Sequence, residues 1–268
     1  MKSSELAGGA AALTFVVLFV VEHARPLRRA TQSRSRRLFI NAGFAVTAAA
    51  AMGAVYGPVV FAAVGFAARH GLGLLRWLPV PAVLRPPLAF VLLDYTLWAW
   101  HRLNHRVPFL WRFHAAHHSD LDLDVTTAFR FHFGEQLASV PFRAAQAAVF
   151  GIDLEPLLAW EIVNLLFVQF HHSNTRLPFA LERLLRFAVV TPRLHGIHHS
   201  TAPEDVSANF GIISSIWDRA HQTHRWLPAE VAVSIGLPDI RDPSALTLGR
   251  ALLLPASRAP IAAKELRP

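Results

Sequence analysis

Uncharged apolar segments alternate with short polar segments along the chain and predict helices that cross or enter a membrane. Leu6–Val21 carries no charge, and after an arginine-rich stretch Leu38–Ala68 carries none either. Pro86–Trp100 is interrupted only by Asp94, and Ala144–Phe170 forms a fourth apolar region. Because a helical span needs about 20 apolar residues, the pattern predicts about four membrane-embedded helical segments.

The first apolar segment is expected to remain as a membrane span. Its length also fits the hydrophobic part of a cleaved signal peptide, but Glu-His-Ala-Arg at 22–25 lacks the small residues of a cleavage site and further apolar segments follow. The arginines between 25 and 37 predict a cytoplasmic loop by the positive-inside rule. One crossing by 38–68 returns the chain to that side after 86–100, whereas two crossings between 38 and 76 reverse the orientation.

Two later segments have simpler patterns. Gly151 to Pro156 predicts the tip of a hairpin of two short helices inside the fourth apolar region. The segment from Pro228 to Pro268 is rich in Ala, Leu and Pro. We expect it to form an interfacial or loosely ordered extension.

The composition supports a membrane protein. Hydrophobic residues make up 53% of the 268 residues and charged residues 16%, against about 25% charged residues in soluble domains. The absence of cysteine excludes iron–sulfur clusters, thiolate zinc sites and cysteine nucleophiles. The net charge is +8, but the basic residues flank apolar segments, which argues against nucleic-acid binding.

Histidines are numerous and clustered. Most of the 15 histidines lie in an H-x3-H at His101 and His105, two H-x2-HH motifs at 114–118 and 195–199, His132, and the pair His171-His172. Helical spacings of three and four place side chains on one face, where imidazoles can share an ion such as Fe, Zn, Cu or Ni. One zinc or one haem takes fewer ligands. The pattern therefore predicts two metal ions with four or five imidazoles each.

These motifs resemble the sterol desaturase / fatty acid hydroxylase superfamily. The resemblance is carried by His101–His105, His114–Ser119, Arg130–His132, His172–Asn174 and Thr191–Ser200, and by the later run Asn209–Arg219. It covers roughly Asp94 to Thr223. One departure is Phe133, which follows His132 where the family usually has proline.

The resemblance implies a fold, a ligand set and a domain division. The fold is an all-α integral membrane helical bundle with a cytoplasmic cap that is lined by histidines and holds two irons. The implied ligands are His101, His105, His114, His117, His118, His132, His172, His195, His198 and His199. His172 is preferred to His171 because it directly precedes Ser-Asn. Residues 1–85 would be a membrane anchor, 86–226 the catalytic domain and 227–268 a tail.

Polar residues near these motifs are candidates to hold the outer N–H groups of the ligand histidines. The predicted set is Asp94, Asn174, Asn209 and Asp218, with Glu135, Asp205 and Asn104 as further candidates. Asp94 is favoured because a carboxylate in an apolar stretch is costly unless it is paired. It also precedes His101 by seven residues, which is two helical turns.

The expected activity is hydroxylation or desaturation of an apolar lipid that enters sideways from the bilayer. No side chain can oxidise an unactivated C–H bond, so two iron ions and O2 would supply that chemistry; zinc can occupy such sites in an overexpressed protein. The chain has neither a haem-binding motif nor a glycine-rich nucleotide loop. Electrons would therefore come from a separate cytochrome b5-like protein, ferredoxin or reductase. The alternative is a membrane metal-binding or metal-transport protein without oxygenase activity.

Overall fold

The computed structural model describes residues 3–257, and these residues form helices without a strand. The α-helices are α1 (Ser3–Ala24), α2 (Arg34–Ala51), α3 (Gly57–Arg69), α4 (Leu74–Trp77), α5 (Arg85–Arg106), α6 (Pro108–His118), α7 (Phe133–Phe150), α8 (Leu154–His172), α9 (Phe179–Leu185), α10 (Pro192–His198), α11 (Pro203–Val206), α12 (Ile216–Ala220) and α13 (Leu248–Leu253). A π-helix at Met52–Tyr56 joins α2 to α3, and 3-10 turns lie at Ala82–Leu84, Val125–Phe129, Pro243–Ala245 and Leu254–Ala256. The predicted all-α class is confirmed for this part of the chain.

Two helical stretches are long and apolar enough to cross a membrane. They are Glu5–Ala24 and Arg34–Trp77. Only 6% and 22%, respectively, of the most apolar 18-residue segment of each stretch is buried inside the protein. Apolar helices that a soluble protein keeps in its core are mostly buried, so these two stretches expose their side chains to the surroundings instead. Among the described residues no other helix meets this standard, and the count of four embedded segments stays a prediction.

The second stretch changes its helical pitch near its middle. The π-helix Met52–Tyr56 lies directly before Gly57 and Pro58. Proline has no N–H to donate and its ring crowds the preceding turn, and a widened turn accommodates both effects. The side chain of Tyr56 is buried there.

The turn between α7 and α8 is the predicted hairpin tip. Gly151 ends α7 with φ 68°, and a Cβ at this position would lie 2.7 Å from the carbonyl oxygen of Leu72. Both the left-handed backbone and this close approach require glycine. The helices on either side, of 18 and 19 residues, are longer than the predicted short pair.

The segment after Pro228 packs on the rest of the protein up to residue 257. Leu237 lies in a buried cluster with Trp111 of α6, and Ala251 of α13 packs against Phe44 of α2. The expectation of a loosely ordered extension is therefore wrong for the described part of this segment, and an interfacial position stays a prediction. Its apolar side chains pack against residues that are distant along the chain, and the local sequence does not indicate such contacts.

Candidate metal centre

Nine buried histidines gather into two groups in which the ring nitrogens lie within 4.8 Å of one another. The first group is His101, His105, His114, His118 and His198, and the second is His117, His172, His195 and His199. Helices α5, α6, α8 and α10 supply them, the last residue lying directly after α10. The groups match in size the two predicted sets of four or five imidazoles.

The two H-x2-HH motifs contribute to both groups in opposite ways. In α6 the first and last histidines, His114 and His118, belong to the first group, while His117 belongs to the second. At α10 the first and last, His195 and His199, belong to the second group, and the middle one joins the first. In each motif the second and third histidines are neighbours in sequence, and neighbouring residues of a helix point about 100° apart around its axis. Each motif therefore reaches both groups.

The first group contains bare nitrogen lone pairs that face each other. Nδ1 of His101 donates to the carbonyl oxygen of Phe210 (2.8 Å), and Nδ1 of His114 lies 2.9 Å from Oε1 of Glu135. A neutral imidazole carries one hydrogen, so both Nε2 atoms lack one, yet they are 3.2 Å apart. Two such lone pairs repel each other unless a cation lies between them.

Other rings of the first group leave buried nitrogens without a partner. Nδ1 of His198 donates to the carbonyl of Ala208 (2.7 Å), and its Nε2 has no hydrogen bond among the described residues. Both ring nitrogens of His105 and of His118 are likewise unpaired. Buried polar atoms are almost always satisfied in native proteins, so this group fits a bound metal ion.

The second group consists of consecutive contacts between Nε2 atoms. His172 lies 3.0 Å from His117 and 2.9 Å from His195, which in turn lies 3.1 Å from His199. Nδ1 of His172 donates to a backbone carbonyl, so its Nε2 is bare, and one hydrogen on His195 cannot serve two neighbours. Nitrogens that bind one metal at 2.0–2.1 Å and at right angles are about 3 Å apart, so the spacing fits a metal ion as well.

Burial lowers the pKa of eight of the nine grouped rings, which keeps them in the neutral form that binds metals. Burial lowers the pKa of His198 to about 3, against the opposing effect of its hydrogen bond to Ala208. The pKa of His118 lies well below its ordinary value because of burial and of the neighbouring His199 and His105. Metal binding to such rings does not have to displace protons at neutral pH.

Two of the histidines in the sequence motifs lie outside both groups. His132 caps α7, where its Nδ1 accepts from the backbone N–H of Gly134 (2.9 Å) and its Nε2 donates to the carbonyl of Leu252 (3.0 Å). Both nitrogens are therefore occupied, and the structure departs from the prediction that His132 is a ligand. His171 donates through Nδ1 to Ile212 (3.0 Å) and is not in a group, whereas His172 is.

Asp94 does not hold a histidine, contrary to the prediction. Its Oδ2 accepts from Nε1 of Trp217 on α12 (2.7 Å). Seven residues of helix separate it from His101, which is about 10 Å along the axis. The same helical face was predicted correctly, but that separation is too long for a hydrogen bond.

Glu135 makes the direct contact instead, through its bond to His114. Asp218 supports a histidine indirectly. Its carboxylate accepts from the backbone N–H groups of Phe210 (2.9 Å) and Gly211 (2.8 Å), and the carbonyl of Phe210 in turn accepts from His101. The supporting carbonyls were missed from sequence, because every residue has one and only the fold selects among them.

The two predicted asparagines hold backbone rather than histidines. Asn209 has φ 56° and donates to the carbonyl of Leu194 (3.1 Å), the residue before His195. Asn174 accepts from the N–H of Arg28 through Oδ1 (2.9 Å) and donates to its carbonyl (2.8 Å). Both therefore position segments next to the centre.

The arginine-rich loop lies on α10. Arg28 donates through Nη2 to the carbonyl of Pro192 (2.8 Å). A Cβ at Gly196 would lie 1.6 Å from that same nitrogen. The glycine inside the second H-x2-HH motif thus makes room for the guanidinium between two histidines.

A cavity of about 480 Å³ is lined in part by the histidines. Six line it, from both groups and from the histidine beside them: His101, His114, His117, His171, His172 and His195. Ala45, Ala48 and Met52 on α2 and the π-helix, with Leu97 and Leu165, give it an apolar wall. The cavity can therefore bring an apolar molecule to both groups.

Comparisons with known proteins show which family the chain resembles. The family profile described as fatty acid hydroxylase matches residues 87–223, just over half of the chain. The chain is 31% identical to an ornithine lipid hydroxylase OlsE of Rhizobium tropici over 59% of this chain and 46% of that protein. It is 29% identical to an alkylglycerol monooxygenase of Xenopus tropicalis, over 56% and 32% of the two chains.

A third relative is a cholesterol 25-hydroxylase of Mus musculus, 28% identical over 58% of this chain and 55% of that protein. The chain thus spans about half or less of the length of these relatives. No solved structure matches it. The matched region contains all nine grouped histidines, and the chain belongs to the fatty acid hydroxylase family.

Proposed function

We propose that this protein is a membrane-embedded lipid hydroxylase that holds two iron ions in the two histidine groups. The observation that carries the proposal is a largely apolar cavity that histidines of both groups line. The family match and the three relatives, whose names describe hydroxylases or a monooxygenase, support lipid hydroxylation. Desaturation would use the same site with a different pose of the lipid.

The protein side chains position and insulate the reacting groups. Iron, with O2 and external electrons, would supply the oxidation of the C–H bond. Glu135 holds the hydrogen on Nδ1 of His114, which keeps Nε2 free to bind. Leu97 and Leu165 surround the lipid chain with apolar contacts and exclude water from the site.

A second apolar cavity suggests how the lipid enters. It has a volume of about 460 Å³, lies against Phe15 and Val16 of α1, and shares Ala45, Phe129 and Leu165 with the cavity that the histidines line. Because α1 is an exposed apolar helix, this second cavity would open toward lipid. The three shared side chains would then separate the bilayer from the histidine groups.

The proposal includes a topology and a partner. The chain would be a multi-pass membrane protein with its histidine motifs on the cytoplasmic side, because the arginine-rich loop that packs on α10 favours that side. A separate electron donor, such as a cytochrome b5-like protein, a ferredoxin or a reductase, would reduce the iron there.

The test compares lipid extracts of a host with and without the full chain, grown under labelled O2. A lipid that gains one labelled oxygen atom is the expected result. His195→Ala, which removes a histidine of the second group, should abolish this product and reduce the bound metal. His70→Ala is the matched control, since His70 is exposed and, among residues 3–257, forms its side-chain hydrogen bond to Phe66 of α3.

Other products would change the assignment. A new double bond without label would replace hydroxylation with desaturation. Unchanged lipids, together with altered metal uptake that His195→Ala abolishes, would contradict the proposal and favour the metal-binding or metal-transport alternative.

A further inference from the structure

A charged cluster lines the cavity away from the histidines. Arg143 on α7 donates to the hydroxyl of Tyr56 (2.8 Å) and to Oε1 of Glu161 on α8, and Tyr56 donates to the same carboxylate oxygen (2.9 Å). Ionised side chains among apolar helices are costly and usually mark a functional site in a membrane protein. The proposed oxidation does not use this cluster.

The cluster lies at a defined distance from the two histidine groups. Arg143 follows Glu135, the partner of His114, by eight residues of α7, which is about 12 Å of helix rise. Glu161 precedes His172 by eleven residues of α8, or about 16 Å. Two separate helices therefore place the polar cluster about two to three helical turns from the histidine groups.

Arg143 and Glu161 differ in how many of their polar atoms form hydrogen bonds. Arg143 is buried, and its remaining nitrogen donates to Oε1 of Gln146 (3.0 Å). The side chain of Glu161 is 30% exposed, and within the described residues the hydrogen bonds reach only its Oε1. Asn164, almost one turn further along α8, lines the same cavity, and its buried Oδ1 has no partner in that part of the chain.

The unused atoms define the chemistry of a ligand. Oε2 of Glu161 and Oδ1 of Asn164 are both acceptors, so their complement is a hydrogen-bond donor. Arg143 already balances the charge of Glu161, and a charged lipid group would leave a net charge in a poorly solvated cavity. A neutral donor, either a hydroxyl or an amide N–H, fits best.

We infer that the cluster of Arg143, Glu161, Tyr56 and Asn164 binds a neutral hydrogen-bond donor on the lipid substrate. The distance from this cluster to the histidines then selects which carbon of the lipid is oxidised. The inference rests on the proposed function for its consequence, but the binding itself needs no turnover.

The test measures binding to the metal-loaded full chain in detergent, without an electron donor, by scintillation proximity. The probes are hexadecan-1-ol, hexadecanamide, hexadecylammonium and hexadecane. The alcohol and the amide should bind about tenfold more tightly than hexadecane, because each adds a hydrogen bond to a charged or orphaned acceptor. The ammonium should bind no more tightly than hexadecane.

Two variants test which side chains cause the preference for the alcohol over hexadecane. Asn164→Leu and Glu161→Gln should each reduce the preference for the alcohol over hexadecane to about threefold or less. Leu97→Val is the matched control: Leu97 lines the same cavity without a polar side-chain atom, so both ligands should change together. Metal content near that of the unmodified protein shows that each variant has folded.

Three results would overturn the inference: equal binding of alcohol and hexadecane, tightest binding of the ammonium, or an intact preference in both folded variants. A protein that prefers the alcohol but oxidises no lipid would support the inference and refute the proposed function. A protein that oxidises lipid without this preference would refute the inference alone.

Discussion

At the scale of single residues, hydrogen bonds to Nδ1 decide what each histidine can do. Carbonyls hold His101 and His198 through Nδ1, which leaves Nε2 free to face the centre. In His132 the pattern is reversed, because Nδ1 accepts a backbone N–H and Nε2 donates. Two identical side chains thus differ in function because of their neighbours.

Glu135→Gln should weaken metal binding. Glutamine can still accept from Nδ1 of His114, but the negative charge that raises the basicity of the ring is lost. We expect metal affinity to fall about tenfold, at the lower end of the range for such partners, as measured by competition with a chelator. Gln136→Ala alters the next cavity-lining residue and should leave the affinity unchanged; equal losses in both variants would contradict the role of Glu135.

At the scale of elements, two short helices are shared between the groups. Three histidines of α6, and two of α10 together with His199 directly after it, reach both groups, so a rotation of either helix would disturb both at once. Contacts outside the groups hold these helices in place. Arg130 donates to the carbonyl of Ala116 at the end of α6 (3.0 Å), and Arg28 holds α10.

Gly196→Ala should expel the guanidinium of Arg28 from α10. The new Cβ would overlap Nη2, and the hydrogen bond to Pro192 would be lost. We expect a loss of about 1–3 kcal/mol in the free energy of unfolding, measured by denaturant titration in detergent. In an Arg28→Ala background the same substitution should cost much less, and equal costs in the two backgrounds would refute this explanation.

At the scale of the whole molecule, the fold brings buried histidines together in an arrangement that a bound cation would stabilise. Within the described residues the rings come from helices separated by up to about 100 positions in the sequence. Their burial beside one another is unfavourable for protonated rings, as the lowered pKa of His195 shows: burial has the largest effect, followed by repulsion from His171 and His172. Metal ions would therefore contribute to the stability of the helices that carry these histidines.

Metal removal should make stability depend on pH. In the metal-free protein the pKa of His198 is about 3 and that of His195 is also lowered, whereas an unfolded histidine binds a proton near pH 6.5. The unfolded state therefore binds more protons below that pH, so stability should be complete above about pH 7 and should fall from about pH 6.5 toward pH 3.

Thermal unfolding of metal-free protein from about pH 8 to about pH 5 checks this expectation. The melting temperature should be constant in the upper part of the range and decline below about pH 6.5, while metal-loaded protein should be more stable at each pH. A metal-free melting temperature that does not change with pH would contradict the neutral burial of these rings.

The sequence alone determined the features that depend on local spacing. Helical histidine spacings, the apolar segments and the glycine at the hairpin tip act within a few residues, so the all-α class, the family and the nine histidines that the fold groups could be predicted. Tertiary structure decided the rest: the division of each motif between two groups, the exclusion of His132, the choice of Glu135 over Asp94, and the cavity with its charged cluster. These depend on contacts such as that of His101 with Phe210, 109 residues away, which no local pattern contains.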